Sequence, residues 1–496
     1  MDTTLTNEND HGTQLIHQSV VTLDRIIYSL AKTTNGLRLM VQADQDDFRL
    51  TLFDGERTHH GKESLVSACL TSENAAALRT QLPWLKPVAL GLKTSAGMGD
   101  RLGLATPGHV HAIRKMNGKI APIFTQQSIR ENTRTGRTPQ EVIDDAMWGV
   151  FQENWRDGYG ADADHLKTTD DIDVCLKAGY SFFTIDPGDF VDNRAEDADL
   201  QNLRNYAKDL PFELDMQHSG LLNQTINAEH LSLTFDEKTL LKSMVKYGRA
   251  VWHVYNMYQH LLMKAGARTI ELEVSVDETE NPTSHAEHAY IASELKRFGV
   301  NWVSLAPRFV GRFEKGVDYI GDLEEFEQDI KGHAAIARVF GSYKISLHSG
   351  SDKFSIYKIA AQATRGLVHL KTAGTSYLEA LRTIAALDPD FFREIYDFCR
   401  NRYETDKVSY IISAQLSRAP IASDVDQLSE LLDNFDAREI LHVTFGSVLK
   451  EKSPDGSFKF FEHLIRLLKD NPEVYTENIE RHFLRHLTLF VDKENE

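Results

Sequence analysis

The chain has 496 residues, 41% of them apolar, enough to bury the core of one large domain with attachments or of two domains. Asp+Glu 73 against Lys+Arg 55 gives a net charge of −18, which repels nucleic acid and anionic membranes and favours a small polar ligand. Three cysteines, Cys69, Cys175 and Cys399, without CxxC spacing argue against a disulfide scaffold and a thiolate zinc site. The first residues, MDTTLTNENDHG, are polar and acidic where a signal peptide would be basic and then apolar. No apolar run reaches the roughly 18 residues of a membrane span, and the expectation is a cytoplasmic protein.

Residues 1–85 read as a polar arm followed by a small α/β appendage, with strand-like runs at 36–42 and 48–53. From Pro87 the pattern becomes alternating strands and helices. Strands are expected at 88–93, 121–126, 160–165, 181–186, 269–277, 301–307, 344–348 and 367–371. Thr138-Pro139-Gln140-Glu141 and Ser284 to Glu287 are capping boxes that open helices, the second of which ends at Gly299, and Gly179 closes the helix that begins near Thr168. Eight such pairs argue for a TIM (β/α)8 barrel over residues 86–400, interrupted by an insertion at about 187–236 that would overhang the mouth. The second strand contains Pro122, which removes a ladder donor. Residues 401–496 read as a helical extension, amphipathic at 458–469, that caps the barrel or contacts a sister subunit in a homo-oligomer.

Strand parity places polar side chains inside this barrel. Leu272, Val274 and Val276 share one face, and Glu271, Glu273, Ser275 and Asp277 the other. Likewise Lys344, Ser346 and His348 oppose Ile345 and Leu347, and His369 and Lys371 oppose Val368 and Leu370. A purely structural barrel would fill its interior with branched apolar residues. At the C-terminal strand ends, where such barrels carry their sites, Asp164, His165, Glu273 and His348 form a candidate divalent-metal set. Imidazole and carboxylate suit Zn, Mn, Ni or Co. His218, in the insertion, is an alternative ligand. Asp162, Asp186, Lys167 and Lys371 are candidate catalytic acids, bases and oxyanion partners. Lys93, Ser95, Gln126, Arg308, Ser349 and Thr372 are candidate substrate contacts. The glycine-rich run at 91–103 could present N–H groups to an anion or to sugar hydroxyls, and the loops at 348–355 and 371–377 lead into helix N-termini suited to an anion.

Three motifs, GLKTSAGMGDRLGLATPGHVHA, GADADHLKT with FTIDPGDF, and HSGSDKFSIYK with LVHLKTAGTSY, together resemble the tagaturonate epimerase family. The resemblance implies a metal-dependent enzyme interconverting tagaturonate and fructuronate, with relatives that act on tagatose and fructose. The resemblance carries Asp164, His165 and His348, which lie within these motifs, together with Glu273 from the fifth strand, as metal-ligand positions. The chemistry can also be reasoned independently. The inverted carbon lies β to the ketone, so its C–H is not acidic, whereas retro-aldol cleavage and recombination would invert it. A metal-dependent aldolase, an aldose-ketose isomerase and a non-catalytic sugar-binding barrel are the competing readings.

Overall fold

The computed structural model describes residues 13–372 and 374–491; the N-terminal arm at residues 1–12 and Ala373 of the KTAGTSY loop lie outside them. Among the described residues no helix is long and apolar enough to cross a membrane.

The N-terminal region is a five-stranded antiparallel sheet built from Gln14–Leu23, Ile26–Thr33, Gly36–Asp44, Gly55–His60 and Glu63–Ala68, with the last two exchanged in spatial order. The strand expected at 48–53 is a 3-10 turn, Phe48–Leu52, because Asp47 caps it by accepting from Arg49 N at 2.9 Å. Helix Ser72–Gln81 packs this sheet's end against the barrel helix Pro139–Gln152, and Arg79 pairs there with buried Asp144.

Eight parallel strands close the barrel: Ser95–Gly97, Ala121–Ser128, Gly160–Leu166, Phe182–Ile185, Glu271–Ser275, Ser304–Ala306, Lys344–Leu347 and Val368–Lys371. Seven of them overlap their expected ranges. The first does not: residues 88–93 lie outside the sheet, and the strand begins at Ser95. Glu271 is the cause, since its carboxylate captures Leu90 N at 3.0 Å and Gly91 N at 2.5 Å and spends these donors beneath the barrel. Pro122 is tolerated because it sits second in its strand. Gly97 is required for packing, since a Cβ there would lie 2.9 Å from Gln126 Cγ.

The insertion does not overhang the mouth. Leu200–Ala207 and Met216–Ser219 pack on the outer helix Glu237–Ala265, and the hairpin Thr225–Ala228/Leu231–Thr234 on the outer helices after the fifth and sixth strands. Its turn residue Glu229 pairs with Arg338 at 2.7 Å and Arg365 at 3.0 Å, both at C-terminal ends of outer helices, hence at the face opposite the mouth. The tail packs on the barrel's own helices: Pro472–Leu487 runs along Thr106–Arg114 and Thr375–Leu387, with Gly108 against Ile479 and Asn478 Nδ2 donating to Thr383 Oγ1 at 2.8 Å. One apolar core, from Val21 to Phe490, runs through all three regions.

Candidate active site

The polar inward faces form two layers. In the lower layer, toward the N-terminal strand ends, Lys344 Nζ donates to Ser95 Oγ at 3.0 Å, and that hydroxyl lies 2.9 Å from His369 Nδ1. Ser95 is therefore consumed inside the barrel and does not face a substrate. Lys93 is exposed just before the first strand, at the end opposite the mouth. Burial holds both His369, at about 3, and Lys344 below their usual values.

The upper layer is centred on Lys371. Its Nζ lies 2.8 Å from Asp162, 2.7 Å from Asp164 and 2.8 Å from Glu273, and donates to Thr184 Oγ1 at 2.6 Å. Burial opposes its charge, but the three carboxylates outweigh burial and raise its pKa well above the usual lysine range. Burial pushes the Asp162 carboxyl up to about 7; Lys371 opposes this shift, and Asp164 and Glu273 add to it. Glu273 is held well below the carboxylate range by Lys371 and His348 against its own burial.

Two imidazoles face this cluster. His348 places Nε2 2.7 Å from Glu273 Oε1 and Nδ1 3.1 Å from Asp277 Oδ1. His165 places Nδ1 3.2 Å from Asp186 Oδ2, with Nε2 3.8 Å from Asp164. By strand alternation His165 would follow Asp164 onto the outer face. It turns inward because its backbone is left-handed, φ 53°, where the register with the fourth strand shifts between Ala163 and Leu166. A strained non-glycine residue at a strand end is the kind of feature that clusters at functional sites. Asp164, His165 and His348 bring one ligand atom each within 4.8 Å of one another, so they offer a divalent ion a three-point site. Each imidazole has its other nitrogen held by a carboxylate, Asp186 or Asp277, the arrangement that orients metal-bound histidines. The buried Glu273 Oε2 and Gln126 Oε1 have no hydrogen-bond partner, which leaves acceptors for a cation.

Above the cluster lies a cleft of about 490 Å³ lined by Gln126, Asp164, His165, His348, Ser349 and Lys371, with a basic rim of Arg101, Arg130, Arg134 and Lys315. Gln126 donates to Asp164 at 3.1 Å, and Ser349 accepts from Lys315 Nζ at 2.6 Å. Arg308 lines an adjoining cleft of about 1000 Å³, where its guanidinium donates to Thr279 O. Sequence reasoning missed most of the rim. Arg130 and Arg134 belong to the short helix Ile129–Thr135, whose capping box, Ser128 with Glu131, was the available signal. Lys315 sits in an irregular loop, and Tyr410, also at the cleft, comes from the C-terminal region, so neither carried one.

Other expectations are corrected by geometry. Thr372 Oγ1 donates to Gly97 O at 2.6 Å and is fully buried. His218 is exposed, its ring against Phe212 on the outer helices. Lys167 is exposed and pairs with Asp189 at 2.9 Å, reaching Asp186 only at 3.9 Å. In the glycine-rich loop Asp100 accepts from Leu102 N, Gly103 N and Ala105 N, so an internal carboxylate occupies the N–H groups expected to meet a ligand.

A closed parallel barrel whose carboxylates, imidazoles and a lysine converge at the C-terminal strand ends belongs to the class of (β/α)8 enzymes. The chain matches the tagaturonate epimerase family over residues 16–490, and it belongs to that family. It is 43% identical over 481 residues to the tagaturonate/fructuronate epimerase of Thermotoga maritima, covering 96% of this chain and 97% of that one. The native crystal structure of the fructuronate-tagaturonate epimerase of Cohnella laeviribosi superimposes with a TM-score of 0.90 at 35% identity, covering 96% of each chain. The same protein complexed with two glycerols gives 0.91 at 34% identity over 97% of each.

Proposed function

We infer that the protein is a metal-dependent epimerase that interconverts tagaturonate and fructuronate by cleaving and re-forming the bond between the carbons α and β to the ketone. Family membership supports the substrate pair. The observation that carries the chemistry is the position of Lys371 among Asp162, Asp164 and Glu273, beside two carboxylate-oriented imidazoles and beneath a basic rim.

The donor set fits a divalent ion of the Zn, Mn, Ni or Co kind: two imidazoles, which would give up the protons that the surrounding carboxylates favour on them, together with Asp164 and Glu273, the last with an unpartnered carboxylate oxygen. When bound, such an ion supplies Lewis-acid polarisation of the ketone and its adjacent hydroxyl. The residues Asp164, His165, Glu273 and His348 would hold it.

The remaining steps fall to the chain itself. Asp162, with its carboxyl pushed up to about 7, is matched to accept and return a proton near neutral pH, relayed through Lys371. Loss of the β-hydroxyl proton turns that C–O into a carbonyl as the α–β carbon bond breaks, and the bonding pair moves onto the ketone oxygen. The Lys371 ammonium, buried beneath the cleft, would stabilise that charge. The aldehyde fragment carries the substrate carboxylate, so Lys315 and Arg130 at the rim can hold that end while the carbonyl turns its other face. Recombination with return of the proton gives the epimer. Asp186 and Asp277 act as positioning residues for the two histidines.

The test is to strip the full chain with chelator and follow both uronates by chromatography, with and without Mn, Ni, Co or Zn. Interconversion restored by metal is expected; activity unaffected by stripping and re-addition sinks the metal-dependent reading. In deuterated water the inverted carbon should keep its hydrogen. Deuterium appearing there would mean direct deprotonation rather than cleavage.

A further inference from the structure

A second group of metal-ligating side chains lies outside the barrel mouth, between two adjacent outer helices. His285 begins the helix His285–Arg297, and Asp329 and His333 sit one turn apart on Leu323–Phe340, which packs against it. Asp329 Oδ1 lies 3.5 Å from His285 Nε2 and 3.4 Å from His333 Nε2, and all three atoms fall within 4.8 Å of one another. Ligand atoms about 2.0–2.1 Å from a tetrahedral ion are about 3.3–3.4 Å apart, so the two printed edges match such an ion.

The second observation is the state of His333. Its ring is fully buried, and Nε2 has no hydrogen-bond partner. Its Nδ1 lies 2.8 Å from His288 Nδ1, and His288 Nε2 lies 2.7 Å from Tyr343 Oη. This chain can carry its protons in two directions. In one, His333 Nδ1–H donates to His288, whose Nε2–H donates to the tyrosine oxygen, and His333 Nε2 presents a bare lone pair toward Asp329. In the other, the protons run back toward Asp329, and His333 Nε2–H points at the carboxylate at a distance too long for a good bond. A cation stabilises the first arrangement, with His288 and Tyr343 fixing the tautomer as outer partners do for metal-bound histidines. The space is also kept clear, since a Cβ on Gly332 would lie 2.2 Å from His285 Nε2.

We propose that His285, Asp329 and His333 form a second, structural divalent-metal site, of the zinc type, with water in the fourth position. Binding exchanges the bond that His285 Nε2 makes with the Asp329 carbonyl, 3.0 Å away, for coordination. The other oxygen of Asp329 accepts from Val310 N at 3.1 Å. The ion would thus tie two outer helices to the loop after the sixth barrel strand, which also carries Arg308 and Lys315 to the mouth. This inference does not depend on metal at the barrel mouth.

The experiment compares chelator-stripped full-length protein with H285A, at a half-buried position, and D329N, which keeps an acceptor for Val310 N. Zinc is titrated calorimetrically and bound metal is counted by mass spectrometry. Wild type should take up one more equivalent than either variant, with affinity at that site reduced at least about a hundredfold by the loss of one of three ligands. With cobalt the wild-type spectrum minus that of either variant, which keeps the barrel-mouth residues, should show an intense visible band of tetrahedral type, and zinc should raise the wild-type Tm more than theirs. Equal stoichiometry in all three proteins, or cobalt spectra of wild type and variants that superimpose, overturns the proposal. Should H285A fail to fold, the comparison of wild type with D329N in stoichiometry and cobalt spectrum still decides it.

Discussion

The lower and upper layers of the barrel interior are built from the same residue types and do opposite things. Below, Lys344 Nζ, Ser95 Oγ and His369 Nδ1 are joined by hydrogen bonds away from the cleft, with His369 Nε2 left unpartnered, and both oxygens of Glu271 are taken by Leu90 N and Gly91 N. Above, Lys371 is shared by three carboxylates, two imidazoles are oriented by Asp186 and Asp277, and Glu273 Oε2 is left without a partner. A polar network bonded mainly within the protein and out of reach of the cleft contributes stability and specificity of packing. One that faces the cleft with an unpartnered carboxylate oxygen keeps the capacity to bind a charged ligand.

The largest effect that would break this comparison comes from Glu273→Gln. Activity on either uronate should fall by about a thousandfold or more, about 4 kcal/mol of transition-state stabilisation. Thermal stability should be unchanged or raised, because Asp162 and Asp164 still pair with Lys371. A large fall in Tm with retained kcat would show the upper layer to be structural. Glu271→Ala is the mirror experiment. It removes the acceptor of two backbone donors and should lower stability by about 2–4 kcal/mol in denaturant melts, with kcat per folded molecule within about twofold.

A smaller effect separates the rim from the cluster below it. Lys315→Met should raise KM for the uronates by about tenfold to a hundredfold, while any turnover of neutral ketoses changes little. Equal effects on both substrate classes would remove Lys315 from carboxylate recognition. The smallest effect is a pH slope outside both layers. Burial, with Glu314 alongside, pushes Glu439 up to about 8. An unfolded glutamate ionises near 4.5, so the folded state binds more protons between those values and stability falls as pH rises through that window. The slope is at most about 1.4 kcal/mol per pH unit. In Glu439→Gln, urea melts across pH 5–8 should show a flatter dependence.

Much of the barrel was legible because several barrel strands alternate between an apolar outer and a polar inner face, and a period of two can be read without knowing its neighbours. The inward placement of Glu273, His348 and Lys371 follows from that, and the alternation of strand-like and helical stretches locates seven of the strands. The capping boxes at Ser284 and Thr138 likewise mark their helices, because a cap is a contact between residues three apart. Contacts made across the chain decided the rest. Glu271 takes residues 90–91 out of the sheet from about 180 positions away, as the spacing of these bonds records. A left-handed backbone turns His165 inward against its own parity. Glu229 ties the insertion to the far face of the barrel, and the C-terminal region delivers Tyr410 to the cleft. Local periodicity determines which faces are apolar, because it depends only on backbone geometry. Which polar groups are left unpaired depends on partners hundreds of residues distant, and only the closed barrel brings these together.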